Sequence, residues 1–459
     1  MKVSIILAAG EGTRMKSSTP KVLHRILGVP MLEYVINSSK NSDVEKVCVI
    51  IGHKAEKVKE YFAGKDIMFR EQPMGDEYPY GTGFAVQQAI DDFEDDDTVV
   101  ILNGDTPLIR EKTLNGFLEF HEQGRFACTI LTADLDDPTG YGRIVRDEDA
   151  KIVSIVEQKD ATEKEKLIRE INSGIFAFNG GALKKALKLL DTNNAQGELY
   201  LTDVIKILVS EDKKIGGYKL KDTREILGVN RRDNLAVCTQ IMKERINEQI
   251  MINGVTLIDS NNTYIEPTVE IGSDTVIYPG AVLQGKTVIG CNCEIYGTTR
   301  IVDSTIGDNV VIDNTLIEES VVGDNTKVGP YAHLRPKSNI GESCKIGNFV
   351  EIKNSNIGNG SKASHLAYIG DADVGKDVNI GCGVIFVNYD GKNKFRSTVC
   401  DNAFIGSNSN LVAPVKVEKY GYVAAGSTIT KDVLEGQLSL ERSVQKNIDG
   451  WVRKKNLIK

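Results

Sequence analysis

An aliphatic residue stands at every sixth position from Ile265 to Ile301: Ile265, Ile271, Ile277, Leu283, Ile289, Ile295 and Ile301. The period resumes at Ile306 and Ile312, slips at Ile317 and Val322, and continues through Val328, Leu334, Ile340, Ile346 and Ile352. After another slip come Ile357, Ala363 and Ile369, and later Ile405, Leu411, Val417, Val423 and Ile429. Six matches neither the helical nor the strand period. It fits a parallel β-helix, in which each hexad forms one side of a coil and its aliphatic residue points inward. Many of these residues precede Gly, as in Ile271-Gly272 and Ile340-Gly341, which lets the chain turn a corner.

The rest of the chain obeys another rule. Up to Arg232, apolar runs alternate with helical patterns. Lys2–Ala8, Val47–Ile51 and Thr98–Leu102 read as buried strands, and Met31–Ser39 and Thr82–Ile90 as helices between them. This predicts an α/β domain over 1–232, with a mostly parallel sheet covered on both faces. A connecting helix is predicted over 233–253, with Asp233 as N-cap and Gly254 as stop. The β-helix domain takes 254–459. The acidic run Asp91–Asp97 precedes a strand and reads as a solvated turn.

The 459 residues suffice for two or three domains. A net charge of −8 disfavours a general nucleic-acid or anionic-membrane binder. The apolar run Val3–Ala9 is too short to span a bilayer, and it leads into Gly10-Glu11-Gly12 rather than a cleavage site. Eight scattered cysteines read as reduced cytoplasmic thiols. Only Cys291 and Cys293 are close, and their spacing is not that of a zinc pair.

Two places in the α/β part carry chemistry. The strand ending at Ala8 runs into Ala9-Gly10-Glu11-Gly12-Thr13-Arg14-Met15, with Pro20-Lys21 following. Ligands of open α/β sheets bind beyond strand carboxyl ends, where Gly10 and Gly12 admit phosphate oxygens to backbone N–H groups. Arg14 and Lys21 supply charge. The motif is neither a Walker loop nor a full dinucleotide fingerprint. Second, Val99–Leu102 leads into Asn103-Gly104-Asp105, placing a carboxylate at the same rim. Asp105 there suits either a turn or a magnesium ion.

In the repeat region, Arg335, Lys353, His365 and Tyr368 fall in neighbouring coils, so two cations, an imidazole and a phenol converge on one wall. A lone His is more often structural, but these neighbours favour a functional one. The hexads are interrupted between Phe386 and Ile405 by the polar loop Val387–Phe395, a natural place for binding.

Leu7-Ala8-Ala9-Gly10-Glu11-Gly12-Thr13-Arg14-Met15 with Pro20-Lys21 resembles the sugar-phosphate nucleotidyltransferase signature. Gln72, Gly81-Thr82-Gly83, Gly140-Tyr141-Gly142-Arg143, Val156-Glu157, Ile171-Asn172-Ser173-Gly174 and Gly228-Val229-Asn230 follow in that family's order. Joined to the hexad repeat, the whole chain resembles the bifunctional GlmU family. The resemblance implies a Rossmann-like nucleotidyltransferase domain and a left-handed parallel β-helix of hexapeptide repeats. It implies acetylation of glucosamine-1-phosphate by acetyl-CoA, then UMP transfer from UTP to the product, yielding UDP-N-acetylglucosamine for cell-wall synthesis. By resemblance, Leu7, Ala8, Ala9, Gly10, Lys21, Gln72, Gly81 and Thr82 bind the nucleotide, beside Asn103 and Gly104. Asp105 and Asn230 hold Mg2+, and Gly142, Glu157 and Asn172 hold the sugar. Lys21 and Arg14 neutralise charge during transfer.

In the other half the resemblance makes His365 the general base and gives Arg335, Lys353, Tyr368 and Asn379 to the sugar phosphate. Cys382, Asn388, Tyr389, Ser407, Ala425 and Arg442 meet acetyl-CoA, and Asn388 polarises its acetyl carbonyl. Cys382 stands where the family commonly carries Ala. Homotrimers with acyl sites between subunits are implied as well. Two rivals are a nucleotidyltransferase of other specificity with a purely structural or regulatory β-helix, and a non-enzymatic assembly subunit of the same build.

Overall fold

The computed structural model describes residues 1–75 and 77–457, in two compact units, Met1–Met242 and Lys243–Lys459. The first is built on nine strands: β1 (Lys2–Ala8), β2 (Lys46–Ile51), β3 (Met68–Glu71), β4 (Thr98–Asn103), β5 (Cys128–Asp134), β6 (Gly142–Arg146), β7 (Ile152–Val156), β8 (Glu170–Asn179) and β9 (Ile215–Lys219). Their order is β9-β5-β8-β4-β1-β2-β3, with β6 and β7 extending from β8. The centre is parallel: Ile5 pairs with Cys48 on one side and Ile101 on the other. Along that path only β8 runs against its neighbours, β4 and β5, and off the path β6 pairs antiparallel with both β8 and β7. Period-two burial explains two separate cores. Val3, Ile5 and Ile101 face one side, and Ile6, Val100 and Leu102 the other. The carboxyl ends of β1 and β4 therefore emerge side by side, carrying Gly10 and Asp105 to one rim.

The acidic run is not simply solvated. Asp92 is 6 % exposed and accepts two hydrogen bonds from Arg70, at 2.9 and 2.7 Å, while Asp97 takes the N-terminal ammonium at 3.0 Å. Buried carboxylates need such partners.

The connecting helix runs over Arg232–Ile252, and the division between the two units falls within it, after Met242. Its first part buries Cys238 and Met242 in the first unit, whereas Ile246 and Ile250 pack on the β-helix core. Asp233 lies inside the first turn, with its carboxylate on Arg231 at 2.7 Å. Asn234 Oδ1 instead accepts the Arg231 N–H at 3.1 Å, because an amide one turn in reaches the free donors.

The second unit is a left-handed parallel β-helix with three sheets of 11, 10 and 9 strands. Ile277, Ile295, Ile312, Val328 and Ile346 stand in register on one sheet. The two hexad slips are shortened coils: partners there lie 16 residues apart, as in Ile301 with Ile317. The Phe386–Ile405 interruption lengthens one coil, so Ile380 pairs with Ile405. Inside the corners, hydroxyls bond the next coil's carbonyls, as Thr275 does to Gly290 at 2.8 Å and Thr326 to Gly341 at 2.8 Å. Cys293 and Cys344 take the same position, their thiols directed at Gly307 and Gly358. These cysteines replace Ser or Thr in the corner and are free thiols.

Candidate active sites

The rim of the first unit encloses a cavity of about 580 Å³ lined by Leu7, Ala8, Ala9, Gly10, Arg14, Lys21, Gln72, Gly81, Thr82, Asn103, Asp105 and Asn230, among others. Lys21 is its electrostatic centre. The ammonium donates to Asp105 Oδ2 and, at 2.8 Å, to Asn230 Oδ1, which also accepts from Arg14 Nη2 at 2.8 Å. Three chain segments are thus tied by one cation. Gly104 is not in the wall. Its N–H donates to the Leu7 carbonyl at 2.9 Å and locks β4 to β1 below Asp105. Gly81 has φ 122°, and a Cβ there would meet the Leu199 carbonyl at 2.5 Å. Only glycine lets this segment pass. Thr82 Oγ1 accepts the Leu201 N–H at 3.1 Å, and Gln72 is buried at the cavity edge.

A side cavity of about 220 Å³ is lined by Gly142, Glu157 and Asn172 together with Leu7, Thr82 and Asn103. Glu157 accepts from Thr202 Oγ1 at 3.2 Å, and burial raises its carboxyl above the usual range. Asn172 Oδ1 accepts the Gly174 N–H at 2.9 Å, shaping a β8 bulge against the cavity. Behind the wall lies Arg143, 1 % exposed, which donates to the Tyr141 carbonyl and to Gln158 Oε1.

On the β-helix, backbone bonds between coils define one column of corner residues. Leu366 N–H bonds Asn348 O, Gly383 N–H bonds Leu366 O, Asn408 N–H bonds Cys382 O, and Gly426 N–H bonds Ser407 O. Asn348, His365, Cys382, Ser407 and Ala425 therefore stack along one edge. Arg442 reaches this edge at Gly426, where a Cβ would lie 3.7 Å from its Cδ.

A second group occupies the next sheet. Arg335 pairs with Glu351 at 2.8 Å, and Asn388, 8 % exposed, donates to Asp371 at 2.5 Å and lies 3.5 Å from the Tyr368 hydroxyl. The neighbouring Lys394 ammonium, aided by desolvation and Arg335, holds Lys353 below the usual lysine range against the pull of Asp371. Cations crowded in this way would be relieved by an anion. Tyr389 sits in the loop, its hydroxyl on the Gly391 carbonyl at 2.6 Å. Asn379 is set apart: it lies on the sheet of Lys362 and Phe404, not on that of Arg335, Lys353 and Tyr368.

Comparison with known proteins covers both halves. Residues 3–226 match the nucleotidyl transferase family model, and 260–338 match the GMPPB C-terminal domain model. The chain is 55 % identical to the bifunctional protein GlmU of Clostridioides difficile strain 630, over 99 % of this chain and 98 % of that one. It is 54 % identical to the bifunctional protein GlmU of Alkaliphilus oremlandii, over 99 % of each. Listeria innocua has a further relative of that name, 50 % identical over 99 % of each chain. The chain belongs to the GlmU family.

Several residues of this GlmU-family chain escape a reading by motif. Tyr80 and Glu198 line the main cavity, and Thr202 the side cavity. Lys394 meets Lys353 only because its loop folds back through an antiparallel bridge between Tyr389 and Lys394. Asp371, which holds Asn388, occupies a corner and looks in sequence like an ordinary turn residue. Loop position in the sequence signalled Lys394; nothing local signalled Asp371.

Proposed function

We infer that this GlmU-family protein is a bifunctional enzyme that acetylates glucosamine-1-phosphate with acetyl-CoA and then transfers UMP from UTP to the product, releasing pyrophosphate. The observation that carries the uridylyl half is the Lys21 ammonium joining Asp105 to Asn230 inside a cavity lined by the glycine-rich loop. The sugar phosphate oxygen attacks the α-phosphorus in line, so the protein must position the reactants and neutralise charge. Arg14, Lys21 and the N–H groups near Gly10 do so for the phosphates. Gln72, Gly81 and Thr82 take the base, and Gly142, Glu157 and Asn172 take the sugar. Asp105 and Asn230 offer a carboxylate and an amide oxygen already directed at a cation, a donor set that suits Mg2+ completed by water and phosphate oxygens. Bound there, Mg2+ would neutralise the triphosphate and the departing pyrophosphate.

For acetyl transfer, His365 accepts the proton of the sugar ammonium as its nitrogen attacks the thioester carbon and the CoA thiolate departs. Arg335, Lys353 and Tyr368 hold the sugar phosphate, and Asn388 donates to the carbonyl oxygen as charge develops. The corner column Cys382, Ser407 and Ala425, with Arg442, offers acetyl-CoA a track leading to His365. A homotrimer accounts for Asn379: side-by-side copies would set its sheet against the Tyr368 sheet of a neighbour. Free thiols support a cytoplasmic setting. Among the described residues no helix is long and apolar enough to cross a membrane.

Paired assays test this. CoA release with glucosamine-1-phosphate and pyrophosphate release with UTP are followed in wild type, His365→Ala and Asp105→Ala. His365→Ala should lose only the first activity and Asp105→Ala only the second. Wild-type protein that releases no CoA would leave a nucleotidyltransferase with a structural β-helix.

A further inference from the structure

Strands of this β-helix are short. Among the described residues each has two or three residues, with two exceptions of four: β10 (Lys345–Asn348) and β11 (Lys362–His365). These two are partners, and the added length creates one extra pair, Asn348 with His365. The close approach depends on Gly347, where a Cβ would lie 1.8 Å from the Ser364 carbonyl oxygen. At the end of this ladder His365 Nδ1 lies 2.8 Å from Asn348 Oδ1.

We propose that Asn348 is the positioning residue of the acetyl-transfer site, holding His365 as the Nδ1–H tautomer with the Nε2 lone pair free for the substrate ammonium. The proposal rests on His365 being the base. A neutral imidazole has one N–H and one lone pair, and an amide oxygen only accepts. Contact with Oδ1 therefore puts the proton on Nδ1 and leaves Nε2 basic, the division of labour by which a third group orients a catalytic imidazole. The pairing also stops ring rotation, because backbone register and not a mobile loop sets the Asn348 position. Proton balance holds: Nε2 gains the first proton that the ammonium loses, the departing CoA thiolate takes the second as the amide forms, and Nδ1–H keeps its acceptor throughout.

The test has two readouts on full-length protein. Ring 15N shifts of His365, assigned by their loss in His365→Ala, should report Nδ1 protonated in wild type. In Asn348→Ala the shifts should move toward mixed tautomers. Acetyl-transfer kcat of Asn348→Ala should fall about 10- to 100-fold, with KM values within about twofold, and Asn348→Asp, which keeps an acceptor, should retain most of it. Pyrophosphate release and circular dichroism report folding. An unprotonated Nδ1 in wild type, or an unchanged kcat in Asn348→Ala while His365→Ala is inactive, would overturn the proposal. Full acetyl transfer in His365→Ala would instead remove the underlying assignment of the base.

Discussion

The nucleotidyl-transfer unit gathers its candidate residues from positions 7 to 230 and closes them around an internal cavity. The β-helix takes its own from 335 to 442 and displays them on an outer edge and one neighbouring face. In the first, loops from several strand ends draw in around Lys21 and Asp105, whose side chains are 13 % and 24 % exposed. In the second, Arg335 and its partner Glu351 are 39 % and 40 % exposed. A buried charge acts at full strength without help, while an exposed one is screened until substrate or a second surface covers it. The two candidate sites present their charges by opposite means, and only the open one needs covering to reach full electrostatic strength.

The contrast can be broken first at the level of folding. Ile352→Ala, in the β-helix core and 0 % exposed, should destabilise that unit by about 2–5 kcal/mol in thermal or denaturant melts. Because coils contact mainly their neighbours, uridylyl transfer should persist; its loss would show that the units fold as one. Next, Lys21→Ala should lower uridylyl-transfer kcat by about 10²–10³-fold with acetyl transfer unaffected. A loss below tenfold would mean that Arg14 alone carries the charge. A smaller effect is expected from Gly81→Ala, which forces a side chain against Leu199 at positive φ. It should cost about 1–3 kcal/mol of stability and raise KM for UTP.

The smallest effect concerns pH. Burial raises Glu157 above its ordinary 4.5. The protonated form is therefore favoured by folding, and its contribution is fully present below about pH 4.5 and lost as pH rises through the raised pKa. Glu157→Gln should remove that loss, flattening Tm against pH in this window and raising Tm above it by about 1–3 °C. An unchanged profile would place the carboxylate in a more solvated setting.

How much of this was legible depends on range. Ile277, Ile295 and Ile312 announce a ladder because each must point inward at its own hexad, a local demand that recurs. Gly10, Lys21 and Asp105 were readable since strand ends in open α/β sheets converge at one rim. Asp233 misled: it looks like an N-cap, yet Arg231 takes its carboxylate. Asp92 read as solvated, but Arg70 from another strand neutralises it inside the fold. The Asp92 partner comes from a distant segment that sequence spacing does not reveal, whereas at Asp233 a neighbour two residues earlier competes for the carboxylate that a cap would use.

By itself, then, the sequence determined the succession of an α/β domain and a solenoid, because hydrophobic period and glycine placement act within a few residues. It determined the residue types at the phosphate-handling rim for the same reason. Only the tertiary structure decided that Lys21 bridges Asp105 and Asn230, that Lys394 folds back onto Lys353, and that Asn348 meets His365. Those contacts arise when chain closure and strand register bring distant residues to one point, and a shift of one residue in register would send each side chain elsewhere.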